Sequence, residues 1–332
     1  MTNVLGIGNA IVDVLCRVED ADLERWGLPK GSMQLIDQQR ALELEAQMGE
    51  SVLCSGGSAA NTIVGVLACG SPAAYIGKVA DDAAGRVFAE DMREAGAVYR
   101  TSPLVGGAAT ARCLIYVTPD AQRTMMTFLG ASAELGPDDI DEELVAAAKV
   151  TYLEGYLFDP PPAQEAFFRA AELAHGAGRE VALSLSDAFC VERHRDAFRQ
   201  LVDEHVDLLF ANEAEICSLY QVGTVDEAVG RIGCRMAALT RGEAGATIVD
   251  EGRALDLPAE AVERVVDTTG AGDAFAAGFL HAYTSGEGAE AAGRRGAASA
   301  AAIITRFGGR PGQAGGKRFG AGSRGKRSGT SL

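Results

Sequence analysis

The densest chemistry in the chain lies in Asp267-Thr268-Thr269-Gly270-Ala271-Gly272-Asp273-Ala274-Phe275. Val265 and Val266 before it read as the end of a strand over 262–266, and residues 274–280 after it as the first turns of a buried helix. A Gly-rich turn feeding a helix start aims several backbone N–H groups at one spot, where the helix dipole also favours negative charge. Glycine suits the turn because a side chain would hold the backbone off an anion or forbid a positive φ. A carboxylate adds nothing to anion binding alone. Asp273 beside such a cradle makes sense as a base that accepts a proton from an attacking hydroxyl. The plainer alternative is a helix cap, the commoner role of Asp at a helix start.

Three other groups offer polar handles. Asn9 and Asp13 follow the apolar run 4–8. A carboxylate accepts from two neighbouring hydroxyls, while an amide both donates and accepts, so the pair suits a polyol. Turn residues are the equal alternative. Gly6-x-Gly8 invites a dinucleotide reading, but Ile11 stands where the third glycine should be. Gly56 and Gly57 precede a second apolar helix, letting a substrate lie against bare backbone, with Asn61 as a polar handle or the whole as a capped turn. Asn212 and Glu215 open a helix straight after the strand 206–210, where open α/β sheets bind ligands. The helix dipole alone would also favour Glu215 there.

These groups need a scaffold, and the chain is long enough to supply one. Its 332 residues, 47% of them hydrophobic, can bury a substantial core. Strand and helix patterns alternate from 74 to 96 and again after Pro137, as a parallel sheet with crossover helices requires. The second run reads as helix 138–148, strand 150–153, helix 162–175, strand 181–185, helix 190–202 and strand 206–210. The stretch 110–129 breaks the alternation with a hairpin, two strands around a turn at 118–122. Residues 19–37 read as short strands and turns. A net charge of −16 disfavours a nucleic-acid partner. No apolar run is long enough to span a membrane, and no basic segment opens the chain like a leader peptide. Seven scattered cysteines without a Cys-x-x-Cys pair read as free thiols of a reducing cytoplasm, and the four histidines show no zinc spacing. No P-loop is present, so the 267–273 loop is the expected phosphate site.

The string Asp267 to Phe275, together with Gly56-Gly57-Ser58-Ala59-Ala60-Asn61, resembles the two signatures of the ribokinase-like (PfkB) family of sugar and nucleoside kinases. The resemblance covers residues 4–310. It implies a doubly wound three-layer α/β/α sandwich with a small β-sheet lid, built from about 14–37 and 108–130, that closes over the acceptor. It implies ATP as phosphoryl donor with Mg²⁺, and a sugar or nucleoside as acceptor. Asp273 is then the base, and Gly270, Ala271 and Gly272 supply the anion hole. Asn9, Asp13, Gly56, Gly57 and Asn61 hold the acceptor. Tyr156 stacks on a base, or else packs at the sheet edge. Asn212 and Glu215 act through water on Mg²⁺. Thr240, Gly242 and Gly245 meet the donor phosphates with Arg241 as a charge partner, a simple hairpin turn being the alternative. Asp267 and Thr269 match positions that in some relatives hold a monovalent cation such as K⁺. Within the family, 8–13 and the string ending Arg112-Cys113 are most similar to adenosine-kinase members, with ribokinase- or fructokinase-type activity as the alternative. A ligand-binding relative without turnover is the reading from another class. A monomer or homodimer is expected.

The segment 311–332 departs from the family. It is Gly-rich and basic, without an acid, and too poor in apolar residues to bury a core. Disorder is the expectation. The abrupt change in composition reads as an out-of-frame translation of GC-rich DNA, with a basic interaction tail as the rival.

Overall fold

The structure, a computed structural model, describes residues 2–120, 122–306, 308–310 and 317–319. In chain order its strands are β1 (Thr2–Ile7), β2 (Ile11–Arg17), β3 (Met33–Leu35), β4 (Ser51–Gly56), β5 (Ala73–Ile76), β6 (Val98–Tyr99), β7 (Ala111–Val117), β8 (Arg123–Phe128), β9 (Ala148–Glu154), β10 (Glu180–Ser184), β11 (Leu208–Asn212), β12 (Met236–Thr240), β13 (Ala246–Asp250), β14 (Arg253–Leu257) and β15 (Lys317–Phe319).

Nine of them form the main sheet in the order β14-β13-β12-β11-β10-β9-β1-β5-β6. It is parallel from β12 to β6, with β13 and β14 antiparallel at one edge. Parallel strands covered on both faces read as near-continuous apolar runs, as β1 does with Val4, Leu5 and Ile7 fully buried. Its residues alternate between layers. Val4 joins a core with Ile63, Phe275 and Phe279, whereas Leu5 and Ile7 join a core with Phe158, Phe167 and Phe198. Helices Ser58–Ala68, Ala271–Thr284 and Ala289–Ile304 thus cover one face, and Pro161–Gly176 and Arg195–His205 the other. This is the expected three-layer fold. The order of winding reverses between β1 and β9, which run parallel, and a ligand crevice belongs at the carboxyl ends of the strands flanking such a point.

The second sheet, in the order β15-β4-β2-β7-β8-β3, is the expected lid, and larger than the two segments predicted. β2 begins at Ile11, and β4 runs up to Gly56, which the sequence places in the turn before a helix. Period-two alternation gives the sheet two characters. Val12, Val14, Leu114, Tyr116 and Met126 point into the main core. Ile11, Leu15, Cys113, Ile115 and Met125 point the other way, over the crevice.

Several local expectations need correction. Asp20–Trp26 is a helix, not turns: Glu19 and Asp22 close a capping box, and Gly27 ends it in the left-handed region. Residues 262–266 form no strand. Val265 and Val266 are substantially exposed, and the N–H groups of Val266 and Asp267 donate to the carbonyl of Ile304 at a helix end rather than to a sheet neighbour. The helix predicted over 190–202 breaks at His194 into Ala188–Arg193 and Arg195–His205, and the one over 138–148 shortens to Glu142–Ala147. Most of 311–332 lies outside the described residues, but Lys317–Phe319 within it pair antiparallel with β4, where disorder was expected. No helix among the described residues is long and apolar enough to cross a membrane, and none of the seven cysteines is in a disulfide.

Candidate active site

A cleft of about 820 Å³ opens between the lid and the carboxyl ends of the main strands. The loop 267–273 forms its floor. Gly270 caps the helix Ala271–Thr284 at φ 73°, and a Cβ there would stand 2.7 Å from the carbonyl oxygen of Gly309, so the turn is closed to other residues. The helical i−4 pattern begins with Ala274 N–H to Gly270, and Ala271 N–H closes the turn on Thr268. The N–H groups of Gly272 and Asp273 therefore have no acceptor within the helix, leaving them for an anion in the cleft.

Asp273 is held from a second helix. Ser58 Oγ donates to its Oδ1 at 2.6 Å and Asn61 Nδ2 to its Oδ2 at 3.0 Å. Ser58 and Asn61 sit one turn apart on Ser58–Ala68, so both reach the same carboxylate. Burial pushes the Asp273 carboxyl up, against the pull of these hydrogen bonds and of the Arg310 charge. Asp273 has an intermediate exposure at the cleft wall, which suits a base better than a cap.

On the lid side, Asp13 lines the cleft, its carboxyl pushed up to about 6 by burial. Gly56 stands across the β2–β4 ladder, and a Cβ on it would fall within 2.3 Å of the Asp13 carboxylate, so glycine makes room for that side chain. Asn9 is buried and largely committed: Nδ2 donates to Glu154 Oε1 at 3.0 Å, and Oδ1 accepts from Ser132 Oγ at 2.9 Å. Glu154, at the end of β9, also accepts from the Ala59 N–H at 2.7 Å. Burial pushes its carboxyl up to about 7. Tyr156 and Gly57 line the cleft, as does Phe189, which is 71% exposed.

On the opposite side, Asn212 and Glu215 line the same cleft. They close a reciprocal capping box: Asn212 N and Nδ2 donate to the two Glu215 oxygens, and Glu215 N–H donates to Asn212 Oδ1. Burial pushes the Glu215 carboxyl up to about 7. Each carboxylate oxygen keeps a lone pair for water. Thr240 lies beside Asn212 in the β11–β12 register. Arg241 turns toward Thr247 and Asp256 on the outer strands, and Gly242 and Gly245 form the turn beyond. None of these four lines the cleft.

Asp267 is engaged from both oxygens. Oδ1 accepts from Thr269 N–H at 3.0 Å, and Oδ2 from Gly308 N–H at 2.9 Å and from the guanidinium of Arg123. Burial would raise this carboxyl, but the hydrogen bonds and the Arg123 charge hold it below its usual range. Arg123 begins β8, so this ion pair ties the lid to the 267–273 loop. The sequence alone assigns no role to Ser58, Glu154, Phe189, Arg123 or Arg310. An acid closing the apolar run of β9 was the visible signal for Glu154; Arg123 and Arg310 carry no local signal.

The pattern of the pfkB family carbohydrate kinase matches residues 31–314. Among solved structures, the adenosine kinase of Sinorhizobium meliloti is 47% identical with a TM-score of 0.86, over 93% of this chain and 96% of that one. A probable sugar kinase of Rhizobium etli is 46% identical with the same TM-score, over 93% and 95%. The adenosine kinase of Saccharomyces cerevisiae is 27% identical over 311 residues, 86% of this chain and 89% of the yeast protein. Carboxylate, amide cradle and lid meet here in one cleft on the fold those proteins share, and the chain belongs to the pfkB family of carbohydrate kinases.

Proposed function

We propose that the protein is an adenosine kinase, transferring the γ-phosphoryl group of ATP to the primary hydroxyl of adenosine. Asp273 takes the hydroxyl proton, the freed oxygen attacks the γ-phosphorus, and the bridging bond to the β-phosphate breaks to release ADP. The Gly272 and Asp273 amides at the helix start stabilise charge on the transferred group. Asp13 receives the ribose hydroxyls, and the lid above it keeps water from competing. Mg²⁺ would come with ATP and neutralise phosphate charge, and Asn212 and Glu215 are the residues that would hold it, through water. Three protein donors already bind the Asp267 carboxylate, and the Arg123 guanidinium balances its charge, which disfavours a monovalent cation there.

The observation that favours a nucleoside is the apolar wall above Asp13. Ile11, Leu15, Ile115 and Met125 face the cleft from the lid, with Met33 and Leu35 half exposed beside them and Phe189 and Tyr156 nearby. A free hexose or pentose would set its hydroxyls against that surface and leave them unpaired, whereas a purine ring buries it. A ribokinase- or fructokinase-type activity is the second reading, supported by the likeness to the probable sugar kinase. Turnover of adenosine, inosine, ribose and fructose with ATP separates them. Adenosine is expected to have the highest kcat/KM by at least about tenfold; preference for a free sugar would reject the assignment.

A further inference from the structure

The reaction as drawn leaves one buried cation of the site without a part. Arg310 is 6% exposed, and its neighbour Gly309 packs against the Gly270 turn. Its Nε donates to Asn61 Oδ1 at 2.5 Å and its Nη1 to Ser55 Oγ. Asn61 directs its other amide atom, Nδ2, at Asp273 Oδ2. An amide has one accepting end and one donating end. With the guanidinium on Oδ1, only the orientation that donates to Asp273 is allowed; the flipped amide would set N–H against N–H and oxygen against carboxylate. Arg310 Nη2 has no hydrogen-bond partner among the described residues, and Asp13 exerts the strongest charge attraction on the guanidinium.

We propose that Arg310 is a positioning residue for phosphoryl transfer: it locks the Asn61 amide, which aims Asp273 at the acceptor hydroxyl, and it balances the Asp13 and Asp273 carboxylates across the cleft floor. This rests on Asp273 being the base. Other titratable groups act on that floor: Glu154 and Tyr152 of β9 and Tyr156 beyond it, Arg123 and Cys113 of the lid beside Asp13, and Cys54, Tyr75 and Asp91 around Arg310. Arg310 is the cation that acts on Asp273 itself.

The test is kcat and KM for adenosine against pH in Arg310→Met, Arg310→Lys and Arg310→Ala, the last with and without added guanidinium ion. Arg310→Met is expected to lose about tenfold or more in kcat near pH 6 and less near pH 8, because the acid limb moves up. Arg310→Lys should return the limb toward its original position without restoring full kcat, since a point charge does not hold the amide. Guanidinium should rescue Arg310→Ala. Asn61→Ala with Arg310→Ala should lose clearly less kcat than the product of the two single losses, because part of the effect of Arg310 passes through Asn61. Rescue of the melting temperature without rescue of kcat would reduce Arg310 to a structural role and overturn the proposal. So would wild-type kcat and limb in folded Arg310→Met while Asp273→Asn is inactive, and that outcome leaves the base intact. An active Asp273→Asn would instead remove the base on which the proposal stands.

Discussion

Ser58 Oγ and Asp273 Oδ1 lie 2.6 Å apart, joining the first turns of two helices that are 215 positions apart in sequence. The contact is made where Ser58–Ala68 crosses Ala271–Thr284, with Gly65 so close to Ala277 that a Cβ on Gly65 would stand 2.6 Å from the alanine methyl. Asp273 is therefore aimed by packing between helices as much as by its own loop.

Ser58→Ala removes one hydrogen bond that favours the ionised form of Asp273, so the carboxyl, already raised by burial, should rise further. The expected result is a kcat loss of about tenfold near pH 6 that shrinks toward pH 8. A pH profile of kcat checks it; a loss of equal size at every pH would mean that Ser58 positions the base without tuning it.

Phe189 is 71% exposed on the cleft rim. Base–aromatic stacking contributes about 1–3 kcal/mol, so Phe189→Ala should raise KM for adenosine by about fivefold or more and leave KM for ribose nearly unchanged. Initial rates with both acceptors decide it. Equal effects on the two would remove Phe189 from base recognition.

Glu154 supplies a stability signature. Its folded-state carboxyl titrates near 7, above the ordinary value of 4.5, chiefly through burial. Below the lower value both states are protonated; between the two, the unfolded chain gives up its proton first. Stability is thus present at low pH and lost as pH rises through about 7. Glu154→Gln cannot titrate. The melting temperature of the wild type relative to this variant should fall from pH 4.5 to about 7 and level off above it, and a difference independent of pH would contradict the buried-carboxylate reading. Asp13 and Glu215, also raised, add the same slope to both proteins and cancel in the difference.

Arg123 and Asp267 are each 9% exposed at the side chain. Removing one partner strands the other charge, so Arg123→Met should cost about 3 kcal/mol in urea unfolding, with the double variant Arg123→Met, Asp267→Asn recovering part of it. Because the guanidinium already neutralises Asp267, exchanging K⁺ for tetramethylammonium should leave kcat within about twofold. A large dependence on K⁺ would place a cation site elsewhere in this loop.

The parts of the site that were legible in the sequence are those written locally. The glycines and Asp of 270–273, the Gly56–Asn61 string and the Asn212–Glu215 cap each declare a turn and a helix start within a few residues. The main sheet was legible because buried parallel strands are almost wholly apolar. Arg123 and Arg310 were not, because each acts across a long separation on a partner that only the folded topology supplies. The strand expected over 262–266 failed for a related reason: its valines fit a strand, but no sheet edge receives them and a helix end does. Ser51–Gly56 has too short an apolar run, Val52-Leu53-Cys54, to declare a strand ahead of the two glycines until β2 provides the ladder.

The most direct test of the central claim is Asp273→Asn, which keeps the shape and the partners Ser58 and Asn61 but cannot take a proton. Single-turnover transfer from ATP to adenosine, measured beside adenosine binding at equilibrium, should show a rate loss of about a thousandfold or more with the dissociation constant changed by less than about fivefold. Transfer at the wild-type rate would contradict the assignment of Asp273 as the base.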